Sequence, residues 1–268
     1  MDCEEYYNLG EKCYIKGEYE KAIYNFNKCI AISNSEDWVF DSQNYIGCCY
    51  LNLCDYNSAI KILRELINEY PYYEVPVISL GRVYLKQKRF QDAFQCFEKA
   101  VLLNLENQDA YYYMGVYYYK INNIEQASKC YEKSISLDFE QAETHLNLGN
   151  CYADMNLHEK AIEEYDISYS IDNSSVDALY NKALVLSETK NYTMAIETLL
   201  YLDEIERNNI ENMTIIAELY LEIQDFESAT MWIDKCLLLD SNDLSAKKLS
   251  NTIYTLKREK LKNSFKII

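Results

Sequence analysis

Proline and glycine are scarce, 2 and 6 in 268 residues. So few chain breakers argue for long helices and against a loop-rich all-β fold. Only 2 histidines occur, which leaves little for general acid–base work or a zinc site. Positive charge is also short: 26 Lys plus Arg face 43 Asp plus Glu, a formal −17. A nucleic-acid binder needs a basic footprint, and this chain has the reverse. The longest uncharged run, Ser42 to Cys54, has 13 residues of mixed polarity, too short and too polar to span a membrane. The start, MDCEEYYNLG, lacks the basic and apolar regions of a signal peptide. With no export signal, the 10 cysteines are expected as reduced thiols and the protein as cytoplasmic.

What the chain does have is apolar residues, 49%, and 27 tyrosines. It also repeats itself. Gly10, Gly47, Gly81, Gly115, Gly149, Ala183 and Ala217 follow one another at steps of 37 and then 34 residues. Ala22, Ala59, Ala93, Ala127, Ala161, Ala195 and Ala229 keep the same steps. Two small-residue series in lockstep mean a solenoid of stacked helix pairs. The small residues let the two helices of each pair approach closely.

Other columns agree. Three residues after the first series stand Cys13, Tyr50, Tyr84, Tyr118, Tyr152, Leu186 and Tyr220, one turn on along the same face. Three before the second series stand Tyr19, Tyr56, Phe90, Ile124, His158, Tyr192 and Phe226, a column placed to close the turn between helices. Four after it come Phe26, Leu63, Phe97, Tyr131, Tyr165, Leu199 and Ile233, the buried face of the second helix. Gly17, Asn122 and Asn156 suit a left-handed turn.

This pattern resembles the tetratricopeptide repeat family. The resemblance implies an all-α, right-handed superhelical solenoid of antiparallel helix pairs, read as one domain over 1–268. The repeats run 3–36, 40–73, 74–107, 108–141, 142–175, 176–209 and 210–243, with a capping helix and tail over 244–268. Three residues are inserted near Asn34–Phe40, around Trp38, and predict a longer turn or an extended helix. The family's proline at position thirty-two survives only as Pro71. Leu244, Leu249, Ile253 and Leu256 predict the cap's apolar face, to about Leu261. Its other face turns basic at Lys257, Arg258, Lys260 and Lys262, as suits a helix C-terminus.

Nothing points to catalysis or a cofactor. His145 and His158 both fall in packing columns, and no phosphate loop, G-x-S-x-G or H-E-x-x-H occurs. There is no C-x-x-C pair. Cys96 with Cys130 and Cys29 with Cys236 occupy repeat columns as small core hydrophobes. Cys48, Cys49 and Cys54 have no such explanation.

In the family, the first helices line a concave face through positions two, five, six, nine, twelve and thirteen. Carried onto this chain, these positions give a candidate peptide-binding groove. Its members are Tyr7, Glu11, Asn44, Tyr45, Arg82, Lys86, Tyr112, Tyr113, Lys120, Asn147, Asn150, Asp154, Tyr180, Asn181, Glu188, Glu218 and Glu222. Tyrosine offers contact area at low entropic cost, and asparagine can pair with a backbone amide. Asn147 and Asn181, one repeat apart, resemble rungs of the asparagine ladder that grips peptide backbone in some arrays; they serve equally well to solvate an exposed face. The last three repeats are acidic at these positions. The expected partner is therefore a protein or peptide, basic there, with apolar anchors; nucleic acid and membrane are not expected. The clamp with which some members hold chaperone EEVD tails needs Lys and Asn in one repeat, Asn in the next, then Lys and Arg. No three consecutive repeats supply it. The alternatives are a self-assembling solenoid, joined through the junction near Trp38 or through the cap, and an accessory module of a larger complex.

Overall fold

The computed structural model describes residues 1–264, with side chains through residue 259. Among them are 15 helices, and every residue outside these lies in a turn or an irregular connection. Two compact units form, Met1–Phe139 and the chain from Glu140 onward.

The first unit holds four antiparallel pairs. These are α1 (Cys3–Ile15) with α2 (Tyr19–Ile32), α3 (Glu36–Asn52) with α4 (Tyr56–Glu69), α5 (Val75–Lys86) with α6 (Phe90–Leu103), and α7 (Gln108–Lys120) with α8 (Ile124–Leu137). The second unit holds three pairs and a last helix. These are α9 (Ala142–Asp154) with α10 (His158–Ile171), α11 (Val176–Glu188) with α12 (Tyr192–Ile205), α13 (Ile210–Glu222) with α14 (Phe226–Leu239), and α15 (Leu244–Ser264). The insertion near Trp38 becomes helix: α3 starts four residues ahead of Phe40 and runs 17 residues.

The two small-residue columns have a specific cause. The seven alanines of the second column, Ala22 to Ala229, are fully buried. A Cβ on Gly81 would stand 2.4 Å from Phe97 Cε1, and one on Gly115 2.5 Å from Tyr131 Cε1. The glycine therefore admits the ring of its own repeat, not merely the neighbouring backbone. In the sixth and seventh repeats the partners are Leu199 and Ile233, and alanine fits.

The turn within each pair is also uniform. Gly17, Cys54, Lys88, Asn122, Asn156, Lys190 and Gln224 all have φ between 59° and 73°. The next residue donates its N–H back to the column of Cys13 and Tyr50, as in Asn123 N to Tyr118 O, 2.9 Å, and Asp225 N to Tyr220 O, 2.8 Å. This is a Schellman closure. Sequence reading found three of these left-handed positions by residue type and missed Cys54, Lys88, Lys190 and Gln224, which are there by position alone. The column of Tyr19 and His158 supplies the first residue of every second helix.

A further tie sits one turn deeper. Ser134 Oγ donates to Gln108 O at 2.9 Å, and Ser168 Oγ to Ala142 O at 2.8 Å. Each joins the second helix to the first residue of its own pair. At the equivalent sites of the first repeat stand Cys29 and Cys3, which are joined as a disulfide. The expectation of reduced thiols fails for this pair, because the repeat geometry brings both sulfurs to the contact the serines make. The other eight cysteines are free.

In α15, Ala246 and Ile253 are buried and Leu249 packs on the same core. The expected apolar face is corrected at its ends: Leu244 is 81% exposed and Leu256 38% exposed. The helix runs to Ser264, past the expected end. Lys257 Nζ donates to Thr230 Oγ1 at 2.7 Å; the side chains of Lys260 and Lys262 lie outside the described residues.

Candidate functional site

Contacts between helices choose the inner face. In the first unit α1 touches α3, α3 touches α5 and α5 touches α7, whereas no comparable contact joins α2 to α4, α4 to α6 or α6 to α8. Elements that approach each other more closely lie on the inside of a curve, so the first helices line the concave side of that unit. In the second unit α9 touches α11 and α13 touches α15 in the same way.

On the first unit's face the candidate residues form a connected network. Tyr45 OH donates to Glu11 Oε1 at 2.9 Å, and its ring lies 5.4 Å from that of Tyr14. Tyr14 OH accepts from Asn52 Nδ2 at 3.3 Å. Arg82 lies beside that hydroxyl, donates from Nη1 to Cys48 Sγ at 3.7 Å, and stacks over the Tyr113 ring at 5.2 Å. Tyr113 is stacked on Phe97 and meets Tyr112 edge-on at 4.8 Å. Lys86 and Lys120, the last residues of α5 and α7, are exposed.

Tyr7 differs. It is buried, and Trp38 from the extended start of α3 covers it at 4.6 Å. Burial, and then Tyr45, Asp41 and Glu11, push its hydroxyl well above the usual range. Burial and the Glu11 carboxylate push Tyr45 up to about 12. Burial, Asp37 and Glu11 raise the Asp41 carboxyl. Both phenols are therefore neutral donors at physiological pH. Asn44 is half-buried, and its Oδ1 has no hydrogen-bond partner among the described residues.

The second unit's face is built otherwise. Asn150 Oδ1 accepts from Tyr165 OH and from Asn181 Nδ2, both at 2.9 Å. The candidate rung Asn181 is thus held within the fold by Asn150 of the preceding repeat. Asn147 is half-buried on the same helix. Tyr180 OH donates to Glu211 Oε1 at 3.1 Å. Asp154, Glu188, Glu218 and Glu222 are exposed. Burial of the carboxyl and the nearby Glu222 raise the Glu218 pKa, and Lys248 of α15 opposes them.

The two histidines sit where the packing columns put them. His145 is 1% exposed, with Nδ1 2.6 Å from Glu164 Oε2. His158 opens α10, and its Nδ1 is buried without a hydrogen-bond partner among the described residues. No group of three or more His, Cys, Asp or Glu among the described residues could hold a metal ion. No helix there is long and apolar enough to cross a membrane.

Sequence reading missed Cys48 and Asn52 as members of the first unit's network. Cys48 stands at position nine of its repeat, the column of Glu11, Arg82 and Asn150, and that register was the available signal.

Comparisons with known proteins agree with the geometry. A family model described as TPR repeat matches residues 115–156. Models described as tetratricopeptide repeat match 42–71, 78–107, 142–174 and 176–209. The chain is 25% identical over 99 residues to Protein STIP1 homolog of Dictyostelium discoideum, covering 35% of this chain. It is 26% identical over 110 residues to Heat shock protein STI1 of Saccharomyces cerevisiae, covering 41%. Each match spans 18% of the curated relative's own length. Among solved structures, pilF of Pseudomonas aeruginosa superposes with a TM-score of 0.68 at 17% identity, covering 81% of this chain and 98% of that one. YrrB, described as a TPR protein with an unusual peptide-binding site, superposes with a TM-score of 0.63 at 16% identity, covering 70% and 97%. The matched segments fall in the second to sixth repeats. The first and seventh share their buried alanines, Ala22 and Ala229, and their left-handed turns at Gly17 and Gln224. Helix pairs, columns and matches coincide, and the chain is a tetratricopeptide repeat protein.

Proposed function

We propose that this protein is a non-enzymatic interaction scaffold that binds a segment of a partner protein along its first-helix faces. The observation that supports the reading is the run of half-buried tyrosines and asparagines along the inner faces of the first helices, Tyr45, Tyr113, Tyr180, Asn147 and Asn181. Rings held in place by packing bind at low entropic cost. YrrB, a relative in fold, is described by its peptide-binding site.

The exposed acids Glu188, Glu218 and Glu222 favour a segment that is basic where it meets the second unit. The chaperone-tail reading, which a heat shock relative brings forward, lacks its residues: Tyr7, Glu11 and Leu146 stand at clamp positions. Self-assembly through the Trp38 junction loses support, because Trp38 is turned onto Tyr7. The cytoplasmic location fits the eight free thiols, and the Cys3–Cys29 bond is the feature that pulls against it.

The test is capture of partners from the native cell by wild type and by Glu218→Lys/Glu222→Lys, at about 50 and 300 mM salt. The double variant should retain the partner at least about fivefold less well at low salt and respond less to salt. Equal retention at both salts would remove the electrostatic part of the reading.

A further inference from the structure

The Arg82 guanidinium is half-buried in the middle of the first unit's inner face, and it has no carboxylate within ion-pair distance among the described residues. Its neighbours are Cys48 Sγ, the Tyr14 hydroxyl and the face of Tyr113. The Tyr14 hydroxyl accepts from the guanidinium, but sulfur is a weak acceptor and a ring face accepts no strong hydrogen bond, so no group here matches the fork of a guanidinium. An arginine stays charged under all ordinary conditions. A cation withdrawn from water without a counter-charge is costly, and a carboxylate that reaches it recovers that cost through two parallel hydrogen bonds.

The nearby acids do not fill the role. Glu11 is engaged by Tyr45. Asp109 lies close enough to feel Arg82, but the two do not come within ion-pair distance among the described residues. Lys86 follows Arg82 by one helical turn and adds a second cation to the same face, exposed and with no ion pair among the described residues. The Tyr14 hydroxyl and the Tyr113 ring flank the guanidinium.

We propose that Arg82 is the anchor for an acidic side chain, Asp or Glu, on a segment that crosses the first unit's inner face. The proposal rests on the face-binding reading above and adds a charge of the opposite sign to the partner's chemistry. A side chain is favoured over a chain end because α5 lies inside the row of first helices. α3 and α7 continue the face on both sides of it, so a bound segment has somewhere to go in either direction.

Random peptides of about twelve residues are long enough, extended, to cross three helices packed about 10 Å apart. Two displayed libraries are panned on the full chain, one with both peptide ends tethered and one with a free C-terminus. From the tethered library, wild type should enrich Asp or Glu at one fixed register. Those peptides should bind Arg82→Gln about tenfold or more weakly, with Arg82→Lys intermediate because it keeps the charge but loses the fork. Circular dichroism melting of both variants separates lost binding from lost folding, and Arg82→Lys carries the comparison if Arg82→Gln unfolds. Acidic enrichment only with free C-termini would overturn the side-chain assignment. Peptides without an acidic position that bind Arg82→Gln as well as wild type, yet lose affinity in Tyr45→Ala, would overturn the Arg82 proposal and leave face binding standing. No selected peptide from either library would overturn both.

Discussion

The first unit's inner face is wired by tyrosines around a cation, while the second unit's is asparagine and carboxylate. Their cores differ in a parallel way. In the first unit Phe26, Phe97 and Tyr131 press into glycines, and so does Leu63, into Gly47; in the second Tyr165 presses into Gly149, while Ala183 and Ala217 stand at the glycine sites of the last two repeats, where Leu199 and Ile233 take the ring position. The left-handed turns and the fully buried alanine column are the same in both. The repeat thus dictates backbone and turn, and leaves the inner-face side chains free to differ from one repeat to the next.

The largest effect on that comparison should come from Gly81→Ala. Its Cβ would meet the Phe97 ring at 2.4 Å, and a packed ring cannot turn aside. Overpacking costs about 1–3 kcal/mol, against a gain of about 1 kcal/mol in helix propensity. Native-state hydrogen exchange of α5 and α6 should show a net loss of up to about 2 kcal/mol, removed when Phe97→Leu is added. Gly47→Ala, whose Cβ would meet Leu63 Cδ2 at 2.7 Å and Cγ at 2.8 Å, should cost less, because an aliphatic side chain can shift rotamer where a rigid ring cannot. If both glycines respond alike, the ring-for-glycine account is wrong.

A smaller effect should come from the turns, and it should be equal in the two units. Lys88 and Lys190 are held at φ 59° and 61°. Glycine there relieves about 1–2 kcal/mol of left-handed strain and loses about 0.4–1 kcal/mol to entropy. Lys88→Gly and Lys190→Gly should each stabilise their pair by about 0.5–1 kcal/mol, read by the same exchange experiment. A gain in one unit only would mean the turns are not equivalent.

The helix pairs were legible in the sequence because two small-residue columns recur in step, and packing leaves no other use for Ala161 or Gly149. The inner-face residues were legible only as positions. Nothing in the sequence separates Asn150, held by Tyr165 and Asn181, from a free asparagine, because that depends on where the Tyr165 hydroxyl ends. Trp38 reads as an irregular insertion, and its contact with Tyr7 follows only once α3 is seen to start early. Lys88 and Gln224 at left-handed turns show position overriding residue preference. Cys3 and Cys29 lie 26 residues apart, a separation that means little until the serine ties of later repeats show that those two positions touch.

The most direct test of first-helix recognition is oxidative footprinting of the tyrosines with and without a display-selected peptide. Bound peptide should protect Tyr45 and Tyr113, or Tyr180, on first helices. Tyr24 and Tyr201, on second helices and 60% and 47% exposed, should react as before. Protection of Tyr24 or Tyr201, with the first-helix tyrosines unchanged, would contradict the account.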